Sequence, residues 1–187
     1  LAGFMIFLNK RFGLKDYLLI QDTFNLNTMD GLKTFVRKVI NGTFIIEIIG
    51  ALLYMLVFIP EFGKRGIWIS IFNSISAFCN AGIDIIGENS LCDYATNPLI
   101  NFITAFLIIV GGIGYVVWWD VLRVIKNRAH RGIRIRIFKH LMLHSKIAIT
   151  ATLFLIFGGA VLIFICEYNN PQTIGGLSLF DKIQVSL

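Results

Sequence analysis

Long apolar stretches alternate along this chain with shorter polar segments. The pattern predicts three membrane-spanning helices, each near the length of about 20 apolar residues that a hydrocarbon core requires. They are predicted over Thr43–Ile59, where Pro60 ends the helix, over Leu99–Val121 and over Ile147–Ile165. The first span contains one charged residue, Glu47, which fits either an ion-pathway carboxylate or a packing or interfacial role.

A shorter apolar stretch, Trp68–Phe78, has serines and an asparagine interleaved with its apolar residues. As a helix it rises only about 16 Å, half of a hydrocarbon core about 30 Å thick, so it enters a membrane without crossing it. Glycine and small or polar residues follow at Cys79–Ile83. We predict a re-entrant segment, with a pore helix that carries Trp68, Ser74 and Phe78 and a loop after it. The alternative is an ordinary extracellular turn after a short amphipathic helix.

The order of these segments predicts four parts in the chain. A polar segment with a short interfacial helix between Asp30 and Val39 leads into the first span, and residues 177–187 have the makings of a second pore helix. One repeating unit is therefore complete and the next begins. The predicted parts are residues 1–38, which start with the end of a preceding span; the complete helix–pore loop–helix unit, residues 39–122; the basic loop, residues 123–146; and the next span with its pore helix, residues 147–187.

Composition supports a membrane protein. Of 187 residues, 56% are hydrophobic and 15% are charged, and the mean hydropathy is +0.76, values outside the range of soluble globular domains. Lys and Arg number 17 against 11 Asp and Glu, a net charge of +6. In a soluble chain this excess would suggest a nucleic-acid partner. Because the charges flank apolar segments, they indicate membrane topology, and we expect no nucleic acid to bind.

The distribution of basic residues predicts which segments lie on each side of the membrane. Residues 9–38 and 123–146 are rich in Lys and Arg and are expected in the cytoplasm. Residues 60–97 are expected on the extracellular side, where Asp84 and Glu88 contribute to an acidic surface. An acidic outer surface suits a cation better than an anion.

Two smaller features have more than one interpretation. Gly111, Gly112 and Gly114 interrupt the second span, which fits close helix packing or a hinge in a pore-lining helix. His140 and His144 lie four residues apart, as metal ligands on one helix face do, but no third ligand is evident. Aromatic residues at the end of the second span, including Trp118, and small residues in the middle of the third are predicted to form an interfacial belt and a packing surface, respectively.

The chain lacks the features of an enzyme. Its spans offer only two titratable acidic groups, Glu47 and Asp120, both near helix ends. The HExxH, GxSxG and P-loop motifs are absent, and the three cysteines form no CxxC pair. We therefore expect no catalytic activity and no bound cofactor. An ion-conducting subunit and a purely structural membrane module remain as alternatives.

The segment Ile75–Asp84 resembles the second filter loop of the Trk/Ktr/HKT superfamily of potassium transporters, in the form found in the bacterial Ktr-type membrane subunit. Three further stretches carry the same resemblance, which covers essentially the whole chain: Ile46–Ala51, Gly111–Tyr115 and His144–Lys146. It implies an all-α membrane fold in which four helix–pore loop–helix repeats form a pseudo-fourfold, potassium channel-like pore. Each repeat supplies one filter glycine, here Gly82, and family members often have Asn where this chain has Cys79.

The resemblance also implies a function. The backbone of Cys79, Asn80, Ala81 and Gly82 would line a selectivity filter through which potassium ions are taken up, with sodium linkage left open. Potassium is then a substrate and no metal cofactor is implied. The implied partners are the lipid bilayer of the cell membrane, a second copy of the chain and a cytosolic nucleotide-binding regulatory ring of the RCK/KTN type. The alternative is another pore-loop cation channel.

Overall fold

The computed structural model describes residues 29–129, 137–171 and 173–187, and every regular element among them is a helix. The predicted end of a preceding span, most of the polar segment 9–38 and the middle of the basic loop 123–146 lie outside the described residues. The described chain divides into two compact units, with the boundary between Ile48 and Ile49. The helices are α1 (Met29–Phe62), α2 (Lys64–Phe78), a 3-10 helix (Ser90–Tyr94), α3 (Pro98–Gly112), α4 (Tyr115–Ala129), α5 (Ile137–His140), α6 (Leu143–Glu167) and α7 (Leu179–Ser186).

Two described helices are long and apolar enough to cross a membrane: residues Val36–Phe62 of α1 and the whole of α6. They contain the first and third predicted spans. The start of α1 differs from the prediction, because the helix runs without a break from Met29 to Phe62 and no separate interfacial helix precedes the span.

The prediction that Pro60 ends the first span is wrong, since the proline lies inside α1. In the last turn of a helix a proline removes one backbone donor but leaves the residues after it free to stay helical. The turn to α2 is made instead by Gly63, whose φ is +56° and whose amide donates to the carbonyl of Ile59 over 2.9 Å. This left-handed conformation favours glycine.

The second predicted span is broken into two helices. The side chain of Asn97 accepts hydrogen bonds from the amides of Leu99 and Ile100, and Pro98 opens α3, as the sequence predicts. Between α3 and α4 the chain bends by 98°. The break includes Gly114 with a φ of +92°, a value that a continuous right-handed helix cannot contain.

Within the second unit, α2 is packed closely against its neighbours. Two contacts are close because a glycine lacks a Cβ: a Cβ on Gly66 would lie 2.1 Å from the backbone carbonyl oxygen of Phe58, and one on Gly50 would lie 2.5 Å from the side-chain Oγ of Ser74. Several of the largest side chains in this part of the core are fully or almost fully buried, and burial of apolar surface is the main stabilising contribution here. They are Tyr54, Phe58, Ile69, Ile100, Ile103 and Leu107.

Two polar contacts tie α6 to its neighbours. Asp120, buried in α4, accepts hydrogen bonds from Arg123 and from the amide of Met142 at the start of α6, over 2.5 and 2.7 Å. A carboxylate at that end of a helix is stabilised by the helix dipole. At the other end, Lys182 of α7 donates to the carbonyl of Tyr168 over 2.8 Å and lies 4.1 Å from the centre of its ring.

The middle of α6 does not show the close packing that its small residues predict. Apart from the neighbouring residues and backbone of α6 itself, no described residue has an atom within 4 Å of a Cβ placed on Gly158 or Gly159. Large apolar side chains on the same helix, such as Phe154 at 75% exposure and Leu162 at 65%, are open as well. The described residues therefore leave most of this helix surface uncovered.

Candidate ion-coordinating loop

The chain leaves α2 through a hydrogen-bonded turn that its sequence explains. The amide of Ala81 donates to the carbonyl of Ser76 and the amide of Asn80 donates to that of Ala77, over 2.9 and 3.1 Å. This pair of bonds defines a Schellman motif, whose C′ residue takes a left-handed conformation and is usually Gly or Asn. Asn80 is that residue, with a φ of +53°.

After this turn the backbone alternates in handedness. Cys79 has a φ of −76°, Asn80 and Gly82 have φ values of +53° and +66°, and Ala81 between them has no positive φ. The alternation takes the backbone out of the helix, so its carbonyls no longer meet amides four residues further on. The carbonyl oxygens of Asn80, Ala81 and Gly82 accept no hydrogen bond from any residue that the structure describes.

The loop is also tied to α2 from its far side. The amide of Ile83 donates to Oγ of Ser76 over 3.0 Å, and Ser76 is itself buried. Beyond it, Asp84 accepts bonds from the amide of Ile86, over 3.0 Å, and from the hydroxyl of Ser90. The amides of Asn80, Ala81 and Ile83 are thus used for anchoring, whereas the carbonyls of Asn80, Ala81 and Gly82 accept no hydrogen bond from the described residues, and residues 79–83 are exposed.

The C-terminus of α2 rests directly on the break between α3 and α4. A Cβ on Gly111 would lie 1.8 Å from the carbonyl oxygen of Phe78, and one on Gly112 would lie 3.5 Å from Nδ2 of Asn80. The ring of Trp118 packs edge-on against that of Phe78, with 5.7 Å between the centroids. The glycines of the second predicted span therefore have two roles: Gly111 allows close packing against α2, and the chain bends at Gly114.

Trp118 holds the bend in place. In a continuous helix the carbonyl of Val110 would accept from the amide of Gly114, but the helix has ended by then. The indole Nε1 of Trp118 donates to that carbonyl instead, over 2.8 Å. The ring of Trp118 also packs against Phe78 and Tyr115, and its place in an interfacial belt stays a prediction.

The segment that follows the loop, residues 84–97, is anchored to the helices by side chains. Tyr94 donates to the carboxylate of Glu61 over 2.6 Å, and Arg65 donates to the carbonyl of Ile85 over 3.3 Å. Burial, the bond to Glu61 and the negative charges of Glu61 and Asp93 raise the pKa of Tyr94, so its hydroxyl stays protonated and remains a donor at physiological pH. This arrangement fixes the segment that follows the loop.

The three residues singled out in the predicted pore helix differ in burial. Ser74 and Phe78 are buried in α2, whereas Trp68 is 62% exposed.

His140 and His144 belong to different helices, α5 and α6, and the described residues contain no group of three side chains suited to hold a metal ion. Neither the left-handed conformation of Asn80 nor the anchoring bond to Ser76 is predicted from the sequence. Asn one residue beyond the helix cap was the available signal for the first.

Comparison with known proteins gives the family. Residues 21–171 match the TrkH family, described as cation transport protein. The chain is 37% identical to Ktr system potassium uptake protein B of Bacillus subtilis over 98% of its own length and 40% of the relative. It is 36% identical to potassium/sodium uptake protein NtpJ of Enterococcus hirae over 92% of its length and 36% of the relative.

A third relative, Ktr system potassium uptake protein B of Vibrio alginolyticus, is 32% identical over 90% of this chain and 35% of its own length. The chain thus spans about two fifths or less of the length of these curated relatives. The family match covers most of the chain and contains the whole of α2, the loop after it and the broken helix. Together with the all-helical, apolar architecture, these matches show that the chain is a membrane protein that belongs to the TrkH family of cation transport proteins.

Proposed function

We propose that this chain forms part of a potassium-uptake pore and that its contribution to the ion pathway is the backbone of residues 79–82. One observation carries the proposal: three successive carbonyls, those of Asn80, Ala81 and Gly82, belong to exposed residues and accept no hydrogen bond from the described residues, while the amides of Asn80, Ala81 and Ile83 are hydrogen-bonded. Such carbonyls are free to replace the water around a cation.

The chemistry fits a monovalent cation. Potassium exchanges its hydration shell for oxygen ligands, and neutral carbonyl dipoles supply these without the binding strength of a buried carboxylate, which would hold the ion too tightly to conduct it. The C-terminus of α2 lies at the start of the loop, and the partial negative charge of that helix end, about half a unit charge, favours a cation beside it.

The curated relatives support potassium as the ion. Two of the three named above are called potassium uptake proteins and the third a potassium/sodium uptake protein. Further loops of the same kind, from repeats outside this chain, would complete the ring of carbonyls. With a single glycine in the loop, we expect a filter shorter and less selective than the TVGYG filter of potassium channels.

The proposal extends to sidedness and partners, where it rests on the charge pattern and on the resemblance. Residues 9–38 and 123–146 would lie in the cytoplasm of a multi-pass cell-membrane protein and face a nucleotide-binding regulatory ring, and the pore subunit would be a homodimer. Another pore-loop cation channel is the competing function. Discrimination comes from the full-length sequence, where four loops with one glycine each would indicate a single-chain potassium pore.

The test is uptake by the full-length protein in a bacterium that lacks its own potassium-uptake systems. At limiting external potassium, cells that express it are expected to grow and to accumulate potassium, whereas cells with the empty vector do not. Quantifying the protein in the membrane fraction is the necessary control. If a well-inserted protein failed to restore uptake, the proposal that it transports potassium would be contradicted.

A further inference from the structure

One residue of α2, Ser76, forms hydrogen bonds with the loop at two points. Its backbone carbonyl accepts from the amide of Ala81 over 2.9 Å, and its side-chain Oγ accepts from the amide of Ile83 over 3.0 Å. Ser76 belongs to the helix and is 8% exposed. The two bonds therefore connect a buried position of α2 to the residues on both sides of Gly82.

The same two bonds fix the direction of two carbonyls. A trans peptide group is planar, so its N–H and its C=O point in opposite directions, and the loop contains no cis peptide bond. The amide of Ala81 shares a peptide group with the carbonyl of Asn80, and the amide of Ile83 shares one with the carbonyl of Gly82. Because both amides point towards Ser76, these two carbonyls point away from it.

Side-chain packing contributes little to holding the second of these peptide groups. Ile83 is 61% exposed, and, apart from the chain neighbours of Gly82, no described residue has an atom within 4 Å of a Cβ placed there. A partly open cavity of about 300 Å³ lies beside the loop, with Ser76, Gly82 and Ile83 among its lining residues. Since this peptide group has open space around it, its bond to Oγ of Ser76 is the contact that sets its orientation.

We propose that the hydroxyl of Ser76 is a positioning group that sets the direction of the Gly82 carbonyl and thereby the ion preference of the loop. Carbonyl ligands act through their dipoles, so the preference for one ion over another depends on how many of them face the ion and how they are placed. This role in ion preference rests on the proposed function, whereas the bond between Ser76 and Ile83 does not.

Hydrogen exchange at single backbone amides of the full-length protein in detergent tests the bond without any reference to transport. Ser76→Ala removes the hydroxyl and keeps the Cβ, so it introduces no new contact. We expect the amide of Ile83 to exchange several-fold faster in this variant. The amide of Ala81 should keep its rate, because its acceptor is the backbone carbonyl of the same residue. Unchanged exchange at Ile83 would overturn the proposal.

Ser70→Ala is the matched control, because it also removes the hydroxyl of a buried serine of α2. That hydroxyl donates within its own helix, to the carbonyl of Gly66 over 2.7 Å. The exchange rate of Ile83 and the ion preference should therefore be those of the wild type in this variant. Equal acceleration of exchange at Ile83 in both variants would show a general loosening of α2 and would contradict a specific role for Ser76.

Rubidium uptake into proteoliposomes, with potassium or sodium as the competitor, tests the consequence for transport. In Ser76→Ala we expect the preference for potassium over sodium to fall by about twofold to tenfold, the range that corresponds to the net free energy of one hydrogen bond. A purely structural role would lower the maximal rate at an unchanged preference, and that result would overturn the inference. If the wild type took up no rubidium, the proposed function itself would be contradicted, and the role in ion preference with it.

Discussion

Gly111→Ala is expected to prevent this arrangement of helices from forming. The new methyl carbon would lie 1.8 Å from the carbonyl oxygen and 2.9 Å from the carbonyl carbon of Phe78. Both are backbone atoms at the end of α2, so no side-chain rotation relieves the overlap. Overpacking a core costs about 1–3 kcal/mol and occasionally more, and a backbone clash of this depth belongs at or above the upper end. We expect loss of the monodisperse full-length protein on size-exclusion chromatography, or a large fall in its melting temperature.

Gly112→Ala is the matched control, one residue further along the same helix. Its new Cβ would meet only Nδ2 of Asn80, at 3.5 Å, which is ordinary van der Waals contact. Alanine is favoured over glycine in a helix by roughly 0.5–1 kcal/mol, so the melting temperature should be unchanged or slightly raised. If the two variants melted at the same temperature, the close contact between α3 and the end of α2 would be wrong.

Gly82→Ser is expected to leave the protein folded and to reduce its preference for potassium over sodium. Apart from Gly82 and its two chain neighbours, no described residue has an atom within 4 Å of a Cβ at this position, so the side chain fits. The cost is conformational, because the φ of +66° is unfavourable for serine by about 1–2 kcal/mol. The loop relaxes by changing its backbone angles, which turns the carbonyls beside it. A change of about 1.4 kcal/mol in relative ion binding alters the potassium-to-sodium ratio about tenfold.

Gly63→Ser separates this effect from backbone strain in general. Gly63 has a similar φ of +56° and equally open surroundings, but it joins α1 to α2 at the end of the pore helix opposite the loop. Gly63 has a ψ of −131°, in a region that essentially only glycine occupies, so Gly63→Ser should lose stability as well, and only Gly82→Ser should lose selectivity. The measurement is rubidium uptake into proteoliposomes with competing potassium or sodium. The same ratio in all three proteins would show that the geometry at Gly82 does not set ion preference.

Hydrophobic patterning predicts much of this fold because it registers which helices are long enough to cross a membrane. The short apolar run ending at Phe78 and the Pro98 helix start both follow from local chemistry, and the structure has helices there. Hydrophobic patterning does not predict a helix break that a single residue causes. The stretch from Leu99 to Val121 is mostly apolar, yet it is divided into two helices by Gly114 and by the bond from Trp118 to Val110.

At the candidate site, too, the details that the sequence does not predict depend on contacts formed only in the folded chain. The composition of Cys79–Ile83 indicates a loop, but the positive φ of Asn80 depends on a hydrogen-bond pattern with Ser76 and Ala77 that only the folded helix end defines. Tryptophan is a residue type that is common at membrane interfaces. The contact of Trp118 with Phe78 forms only when α2 and α4 pack together, so the sequence pattern does not predict it. Likewise, the polar residues of α2 were visible in the sequence, but which of them lines a cavity or anchors the loop depends on packing.

The most direct measurement is anomalous diffraction from crystals of the full-length protein grown with rubidium in place of potassium. We expect an anomalous peak in contact with the carbonyl oxygens of Asn80, Ala81 and Gly82, and weaker density there when sodium replaces rubidium. Well-diffracting crystals with rubidium peaks elsewhere and none beside these carbonyls would contradict the assignment of this loop as the site that coordinates the ion.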